Sequence, residues 1–203
     1  MSFETSSLLN EETIVRRLRE APPDTELDTL AQAYAGLRQA AVLVPLLYHN
    51  EQWHLLFTRR TETVNSHKGQ VSFPGGAADP EDDSPEATAL REAYEEIGLR
   101  AEDIHILGRM QERPTISRFL VTPVVARVPW PYPFRLSPNE VGRVFTIPLD
   151  WLADPAHREV RPRAVPEAVY ERVIYYQEYD GEILWGASAH ITLGLLRALQ
   201  LTP

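Results

Sequence analysis

The feature that most constrains this 203-residue sequence is a short, sharply bounded helix that carries an unusual amount of acid. Ser84 is suited to the N-cap and Pro85 to the first helical position, whereas Gly98 is suited to a left-handed C-terminal end. The pattern therefore predicts a helix from about residue 85 to residue 97. Its apolar positions recur at helical spacing and predict a face that packs on a sheet: Leu90, Ala93 and Ile97.

Three glutamates crowd one side of this helix. Glu92 and Glu96 are four residues apart, and Glu95 lies within the same third of the circumference. Residues 79–103 hold ten acidic and two basic residues, whereas the rest of the chain is almost neutral. A solvated helix face remains one interpretation, although Arg91 is the only basic partner on the helix. A site for a hard cation is favoured, because Mg²⁺ and Mn²⁺ prefer carboxylate oxygens and would relieve the repulsion.

Composition narrows the possible partners. Cysteine is absent, which excludes disulfides, thiolate ligands and cysteine nucleophiles. The net charge of -9 argues against binding to the nucleic acid backbone. No apolar run approaches the ~20 residues of a membrane span, and the N-terminus does not resemble a signal peptide. We expect a small-molecule partner, no nucleic acid, no membrane and a cytoplasmic location, with the oligomeric state left open.

Hydrophobic patterns elsewhere predict one mixed α/β domain. Three further helical stretches are expected, the second of them weak: 7–20, 25–39 and 186–201. A turn at 49–51 is expected to join a hairpin made of two apolar runs: 40–48 and 53–58. Other strands are expected at five places: 71–73, 104–110, 121–128, 144–148 and 170–179. Clustered prolines predict two surface loops: 129–138 and 155–166.

Residues 91–99 resemble the second half of the Nudix box at every position. The full pattern is Gly, five residues, Glu, seven residues, Arg-Glu, an apolar residue, any residue, Glu-Glu, any residue, Gly and an apolar residue. The first half departs from it, because counting back from Arg91 puts Asp83 at the acid position and Ala77 at the glycine position. Gly76 comes one residue early, so the loop is one residue longer. The sequence therefore does not predict the family's bridge between the loop acid and Arg91.

The resemblance implies an α/β (α+β) fold, a Nudix-type α/β/α sandwich with a mixed central sheet. The Nudix box would form its loop–helix–loop. We expect the Nudix domain to span residues 36–203, with residues 1–35 as an N-terminal helical extension packed on it.

The resemblance also implies roles for the acidic helix. Glu92 and Glu96 would be the main ligands of Mg²⁺ or Mn²⁺, and Glu95 would share a metal or act as the catalytic base. A backbone carbonyl near Gly76 would complete the shell, and Arg91 would orient the glutamates as structural support. The implied chemistry is hydrolysis of a pyrophosphate, whose charge bound metals neutralise while they activate a water.

The substrate is suggested by residues upstream of the box. Residues 55–61, followed by 67–76, resemble the motif of the coenzyme A pyrophosphatase branch, which ends in Phe-Pro-Gly-Gly. Two later stretches are similar to the same branch: 139–149 and 184–189. Because coenzyme A carries a 3′-phosphate besides its pyrophosphate, a basic lip is needed, and four residues are candidates to bind it: Arg59, Arg60, His67 and Lys68.

Some alternatives stay open at this point. Glu140 is a candidate general base or extra metal ligand, and equally an exposed loop acid after Pro138. Asn65 stands where the branch motif usually has arginine, which motivates another Nudix substrate such as ADP-ribose, NADH or a dinucleoside polyphosphate. A Nudix-fold binding module without turnover is less favoured, because the three helix glutamates are present.

Overall fold

The computed structural model describes residue 6 and residues 9–24, 36–61, 69–164 and 170–202. Its α-helices are α1 (Glu11–Glu20), α2 (Pro85–Ile97), α3 (Leu149–Ala153) and α4 (Gly186–Ala198). Its first strands are β1 (Arg38–His49), β2 (Gln52–Arg60), β3 (Val71–Ser72), β4 (Gly75–Ala77), β5 (His105–Arg109) and β6 (Arg113–Pro114). The later strands are β7 (Phe119–Arg127), β8 (Val141–Pro148), β9 (Arg158–Ala164), β10 (Tyr170–Tyr179) and β11 (Glu182–Trp185).

Strand β1 lies at the centre of a mixed eight-stranded sheet. It runs parallel to β7 along its length and antiparallel to two other strands. Its first part pairs with β4, where Ala41 faces Gly76, and its last part pairs with β2, where Leu46 faces Leu55. Strand β2 continues past β1 to pair with β3 and β8. This arrangement brings the end of β2, the Gly75–Gly76 segment and α2 to one region of the sheet.

Hydrophobic side chains fill both faces of this sheet. On one face, α2 contributes a fully buried row at i, i+4 and i+8: Ala89, Ala93 and Ile97. On the other face, α1 and α4 contribute Ile14 and Leu195 to a larger cluster. The predicted α/β/α layering with a mixed central sheet is therefore confirmed.

The predicted apolar face of α2 is wrong by one position. Leu90 is half-buried, whereas Ala89 is completely buried. Around the helix axis, Ala89 lies about 40° from Ala93 on one side and Leu90 lies about 60° from it on the other. The side that carries Ala89 is the one that faces the sheet. The small alanines let the helix approach the sheet closely, and Glu96 shares their buried side.

A second, three-stranded sheet is formed by β11, β10 and β9 in that order. The prediction of a surface loop over 155–166 is wrong here, because β9 pairs with β10. Pro162 is compatible with this pairing, since β9 is an edge strand and proline is tolerated where no amide must donate. The predicted loop at 129–138 is confirmed as a segment without helix or strand.

The N-terminal segment differs in detail from its prediction. Helix α1 begins at Glu11 rather than near residue 7, because the Asn10 side chain caps it by accepting the Thr13 amide at 2.8 Å. It packs against β5 and α4. Most of the weak helix expected at 25–39 lies outside the described residues, and its last two residues begin β1. Among the described helices, none has the length and apolar character needed to cross a membrane.

Candidate active site

Helix α2 begins and ends as the sequence predicts. The Ser84 hydroxyl accepts the Ala87 amide at 3.1 Å, and Pro85 occupies the first turn. Gly98 is left-handed at φ 68°, and its amide donates to the Tyr94 carbonyl at 2.9 Å. Both ends of the helix are thus fixed by local chemistry, which sets the direction of the glutamates between them.

The proline-rich loop before β8 docks on the C-terminal end of α2. The Ser137 amide donates to the Glu96 carbonyl at 2.8 Å, and the Arg135 amide donates to the Ile97 carbonyl at 2.9 Å. These carbonyls lie in the last turn, where no intrahelical amide is available. The loop therefore caps the helix and is itself held beside the glutamates.

Glu140 lies at the end of this docked loop. Its side chain is exposed, and its backbone carbonyl accepts the Thr61 amide at 2.9 Å just beyond β2. Its charge contributes to raising the pKa of both Glu92 and Glu96. The exposed loop acid is thus close enough to interact electrostatically with the helix glutamates.

Glu96 is the most buried of the three glutamates, with 5% of its side chain exposed. Burial raises its pKa to about 8; the nearby Arg60 opposes this rise, and Glu92 adds to it. Within the described part of the chain, its Oε2 atom is buried and has no hydrogen-bond partner. A buried carboxylate oxygen without a partner is unfavourable unless the group binds a proton or a cation.

Glu92 faces the glycine pair that precedes the helix. A Cβ atom added to Gly76 would lie 2.4 Å from Glu92 Oε1, a separation that real Cβ atoms do not show. Glycine at this position therefore allows the backbone to approach the carboxylate. Burial raises the pKa of Glu92, and hydrogen bonding to Arg91 opposes the rise.

Arg91 connects the acidic residues around the helix. Its Nη1 atom lies 3.0 Å from Glu92 Oε1 and 3.4 Å from Glu95 Oε2. Its Nη2 atom donates to the Ala77 carbonyl at 3.0 Å and to Asp82 Oδ2 at 2.9 Å. Glu95 is thereby turned toward Arg91, with 54% of its side chain exposed, while Glu92 is held beside the glycine segment.

The bridge between a loop acid and Arg91 is present, and Asp82 makes it instead of Asp83. Only 8% of the Asp82 side chain is exposed, and hydrogen bonding to Arg91 lowers its pKa to about 2. The same contacts raise the pKa of Arg91. Five residues separate Gly76 from Asp82, as in the family pattern, so the extra residue lies between Asp82 and the helix. Counting forward from Gly76 would have identified this residue.

Replacing Asp82 by alanine should destabilise the protein by about 1.5–3 kcal/mol, the usual contribution of a hydrogen bond between charged groups. The folded pKa lies below the ordinary value of 3.8, so this stabilisation is present above pH ~4 and disappears as the pH falls toward ~2. Urea unfolding at neutral and acidic pH measures the difference. Asp83→Ala is the control, because Asp83 is the exposed neighbour of Asp82. An Asp83→Ala variant as unstable as Asp82→Ala would contradict the assignment of Asp82 as the partner of Arg91.

The predicted substrate-binding residues are only partly described. Arg60 Nη1 lies 3.6 Å from Glu96 Oε1, and Arg59 Nε lies 3.6 Å from Glu182 Oε2 on β11. His67 and Lys68 lie outside the described residues. No local sequence signal points to Glu182, because its contact depends on how the second sheet packs beside β3.

The residues around α2 fit a divalent cation by their chemistry. Glu92 and Glu96 provide hard oxygen donors, and the backbone at Gly76 lies against one of them. The unpartnered Oε2 of Glu96 is an atom to which a cation could bind. Among the described ranges, no three acidic or histidine side chains converge on one point. An ion would therefore draw on backbone carbonyls or on movement of Glu95 or Glu140.

These features define the class of site: a cluster of acids on a helix, next to a close-packed glycine segment and a basic strand end. Comparisons with known proteins agree with it. The NUDIX domain matches residues 37–168. Proteins named uncharacterized Nudix hydrolase NudL, from Yersinia pestis (strain Pestoides F) and Yersinia pseudotuberculosis serotype O:1b (strain IP 31758), are each 37% identical over 186 residues. The alignments cover 91% of this chain and 92% of those relatives.

A solved structure supports the fold alone. The MutT/nudix family protein from Enterococcus faecalis superposes with a TM-score of 0.50 at 17% identity, covering 94% of this chain and 74% of that one. The domain match and the two relatives from Yersinia show that the chain belongs to the Nudix hydrolase family. It is accordingly a pyrophosphohydrolase, and members of this family generally use divalent metal ions.

Proposed function

We propose that the protein hydrolyses the pyrophosphate bond of coenzyme A and its derivatives. The products would be 3′-phospho-AMP (3′,5′-ADP) and 4′-phosphopantetheine, with Mg²⁺ or Mn²⁺ as the cofactor. Coenzyme A is proposed as the substrate because residues 55–61 and 67–76 resemble the motif of the coenzyme A pyrophosphatase branch. This motif leads directly into the glycine pair that lies beside Glu92.

The basic end of β2 supports an anionic substrate with several phosphates. Adjacent residues of a strand point to opposite faces, so Arg59 and Arg60 extend in different directions. Arg60 reaches the glutamates of α2, whereas Arg59 reaches Glu182 on the second sheet. One guanidinium group therefore lies at the acidic site and the other extends from the same strand end toward the second sheet, and each can bind a phosphate oxygen of the substrate. His67 and Lys68 belong to the same proposed lip on sequence grounds.

We assign the glutamates of α2 to metal binding. Glu92 and Glu96 are the main ligands, with the carbonyl of Gly76 completing the set, and Glu95 is able to share an ion. When bound, divalent ions neutralise the diphosphate oxygens and make water a better nucleophile. The role of Arg91 is to hold Glu92 in place through its 3.0 Å hydrogen bond.

Two residues are candidates for accepting the proton of the attacking water. Glu95 lies on the exposed side of α2, and Glu140 lies on the docked loop facing the same cluster. Both side chains are exposed to solvent. This exposure lets the group that accepts the proton release it to water afterwards. Cleavage then gives two phosphate products without a covalent enzyme intermediate.

The substrate is tested by incubating the enzyme with coenzyme A and Mn²⁺ and separating the products by chromatography. We expect 3′-phospho-AMP and 4′-phosphopantetheine in equal amounts. ADP-ribose, NADH and a dinucleoside polyphosphate are compared in the same panel. Intact coenzyme A after long incubation at high enzyme concentration would contradict the proposal. Faster turnover of another compound would favour the alternative that Asn65 motivates, and turnover of none would favour a binding module.

A further inference from the structure

The ion pair between Arg60 and Glu96 is close but incompletely bonded. Arg60 Nη1 lies 3.6 Å from Glu96 Oε1, which is beyond the usual length of an N–H···O hydrogen bond. Two buried atoms of this pair, Arg60 Nε and Glu96 Oε2, have no hydrogen-bond partner among the described residues. The guanidinium therefore lies beside the carboxyl group without forming a hydrogen bond to it.

Arg91, the other arginine of the cluster, is held quite differently. It donates to the Ala77 carbonyl, to Asp82 and to Glu92 at 2.9–3.0 Å. Moving Arg91 would break several well-formed hydrogen bonds, whereas moving Arg60 away from Glu96 breaks none with that residue. Of these two arginines, Arg91 is therefore fixed, whereas Arg60 can leave the acidic helix without breaking a hydrogen bond to Glu96.

A divalent cation bound to Glu96 would lie within a few ångströms of the Arg60 guanidinium. Positive charges brought close together in a partly buried site repel strongly. We propose that Arg60 is a charge placeholder: its guanidinium occupies the position beside Glu96 in the metal-free protein and has to withdraw before Glu96 can bind a divalent ion. This inference rests on the proposed function, because it takes Glu96 as a metal ligand.

The placeholder couples metal binding to substrate binding. Once it leaves Glu96, the guanidinium remains anchored at the end of β2 and is free to bind a phosphate oxygen of the substrate. The opposite role is also conceivable: Arg60 could stay beside the ion and help to keep Glu96 ionised. Replacing Arg60 by a neutral residue should therefore raise the affinity for metal if Arg60 is a placeholder, and lower it if Arg60 stays beside the ion.

The test is calorimetric titration of Mg²⁺ into the substrate-free protein, run at the same set of pH values for every variant. Arg60→Gln should bind Mg²⁺ roughly tenfold more tightly than the wild type, because the competing charge is gone. Arg143→Gln is the control, since Arg143 lies opposite Arg59 on β8 and pairs with Glu182 instead of the helix. Its Mg²⁺ affinity should stay within about twofold of the wild type.

Circular dichroism establishes that each variant is folded, and Arg60→Met replaces Arg60→Gln if the latter is not. Unchanged or weaker Mg²⁺ binding by the neutral variant, with normal binding by the wild type, would overturn the placeholder role alone. Absence of Mg²⁺ binding by the wild type would overturn the proposed metal site as well. Formation of products from coenzyme A does not depend on the placeholder role, so failure of that role alone can be told apart from failure of the proposed function.

Discussion

Replacing Glu96 by glutamine should lower kcat by roughly 10²–10³-fold, the loss typical of removing one charge-stabilising group from an active site. The amide has nearly the same shape as the carboxylate, so the buried side of α2 should keep its packing. It cannot, however, supply the negative charge that a divalent ion requires. Steady-state turnover with saturating Mg²⁺ measures the effect, and turnover close to the wild type would exclude Glu96 as a main ligand.

The same variant gives a stability readout that separates lost chemistry from lost folding. Without metal, the pKa of Glu96 is raised to about 8, so the folded state binds a proton that the unfolded state releases above pH ~4.5. The stability of the metal-free protein therefore falls as the pH rises from ~4.5 to about 8, because folding requires Glu96 to take up a proton. Glu96→Gln should melt at least as high as the wild type at about pH 8.5. Glu102→Gln, an exposed acid outside the cluster, is the matched control for both measurements.

Replacing Gly76 by alanine should reduce activity by about 100-fold while leaving the protein folded, because displacement of a catalytic group by ~1 Å can have that effect. The new methyl group would meet Glu92 Oε1 at 2.4 Å, so either the carboxylate or the backbone segment has to move. The expected change is mainly in kcat and in the concentration of metal needed for half-maximal activity.

Gly142→Ala is the control for this second variant. A Cβ atom at residue 142 would find its nearest neighbours at 3.8 Å, an ordinary packing distance. Its activity should stay within about twofold of the wild type, as expected for a surface change that disturbs no packing. Equal activity of the two alanine variants would mean that the close approach of Gly76 to Glu92 has no role in catalysis.

The acidic helix could be predicted from sequence because its signals are local. The N-cap serine, the proline of the first turn and the C-terminal glycine act over a few residues, and the bounds 85–97 are confirmed. The choice between Ala89 and Leu90 for the buried side depended on how closely the helix approaches the sheet. The approach of the helix to the sheet is a tertiary property, and the fully buried alanines show that small side chains lie where the two pack.

Other features depended on packing between distant segments. Strand β9 contains a proline that locally argues against a strand, and its place at the sheet edge could be recognised only once β10 lay beside it. The contact between Arg59 and Glu182 joins residues far apart in sequence across two sheets. In contrast, Asp82 was within reach of sequence analysis, since its spacing from Gly76 follows the family pattern.

We infer that the buried glutamates of α2 are arranged to bind a divalent cation. Calorimetric titration of the wild-type protein with Mn²⁺ and Mg²⁺, alone and with coenzyme A present, tests this binding. We predict saturable heat with the metal alone in the wild type and its loss in Glu96→Gln. Titrations of the wild type that give no heat of binding, with or without coenzyme A, would contradict the claim.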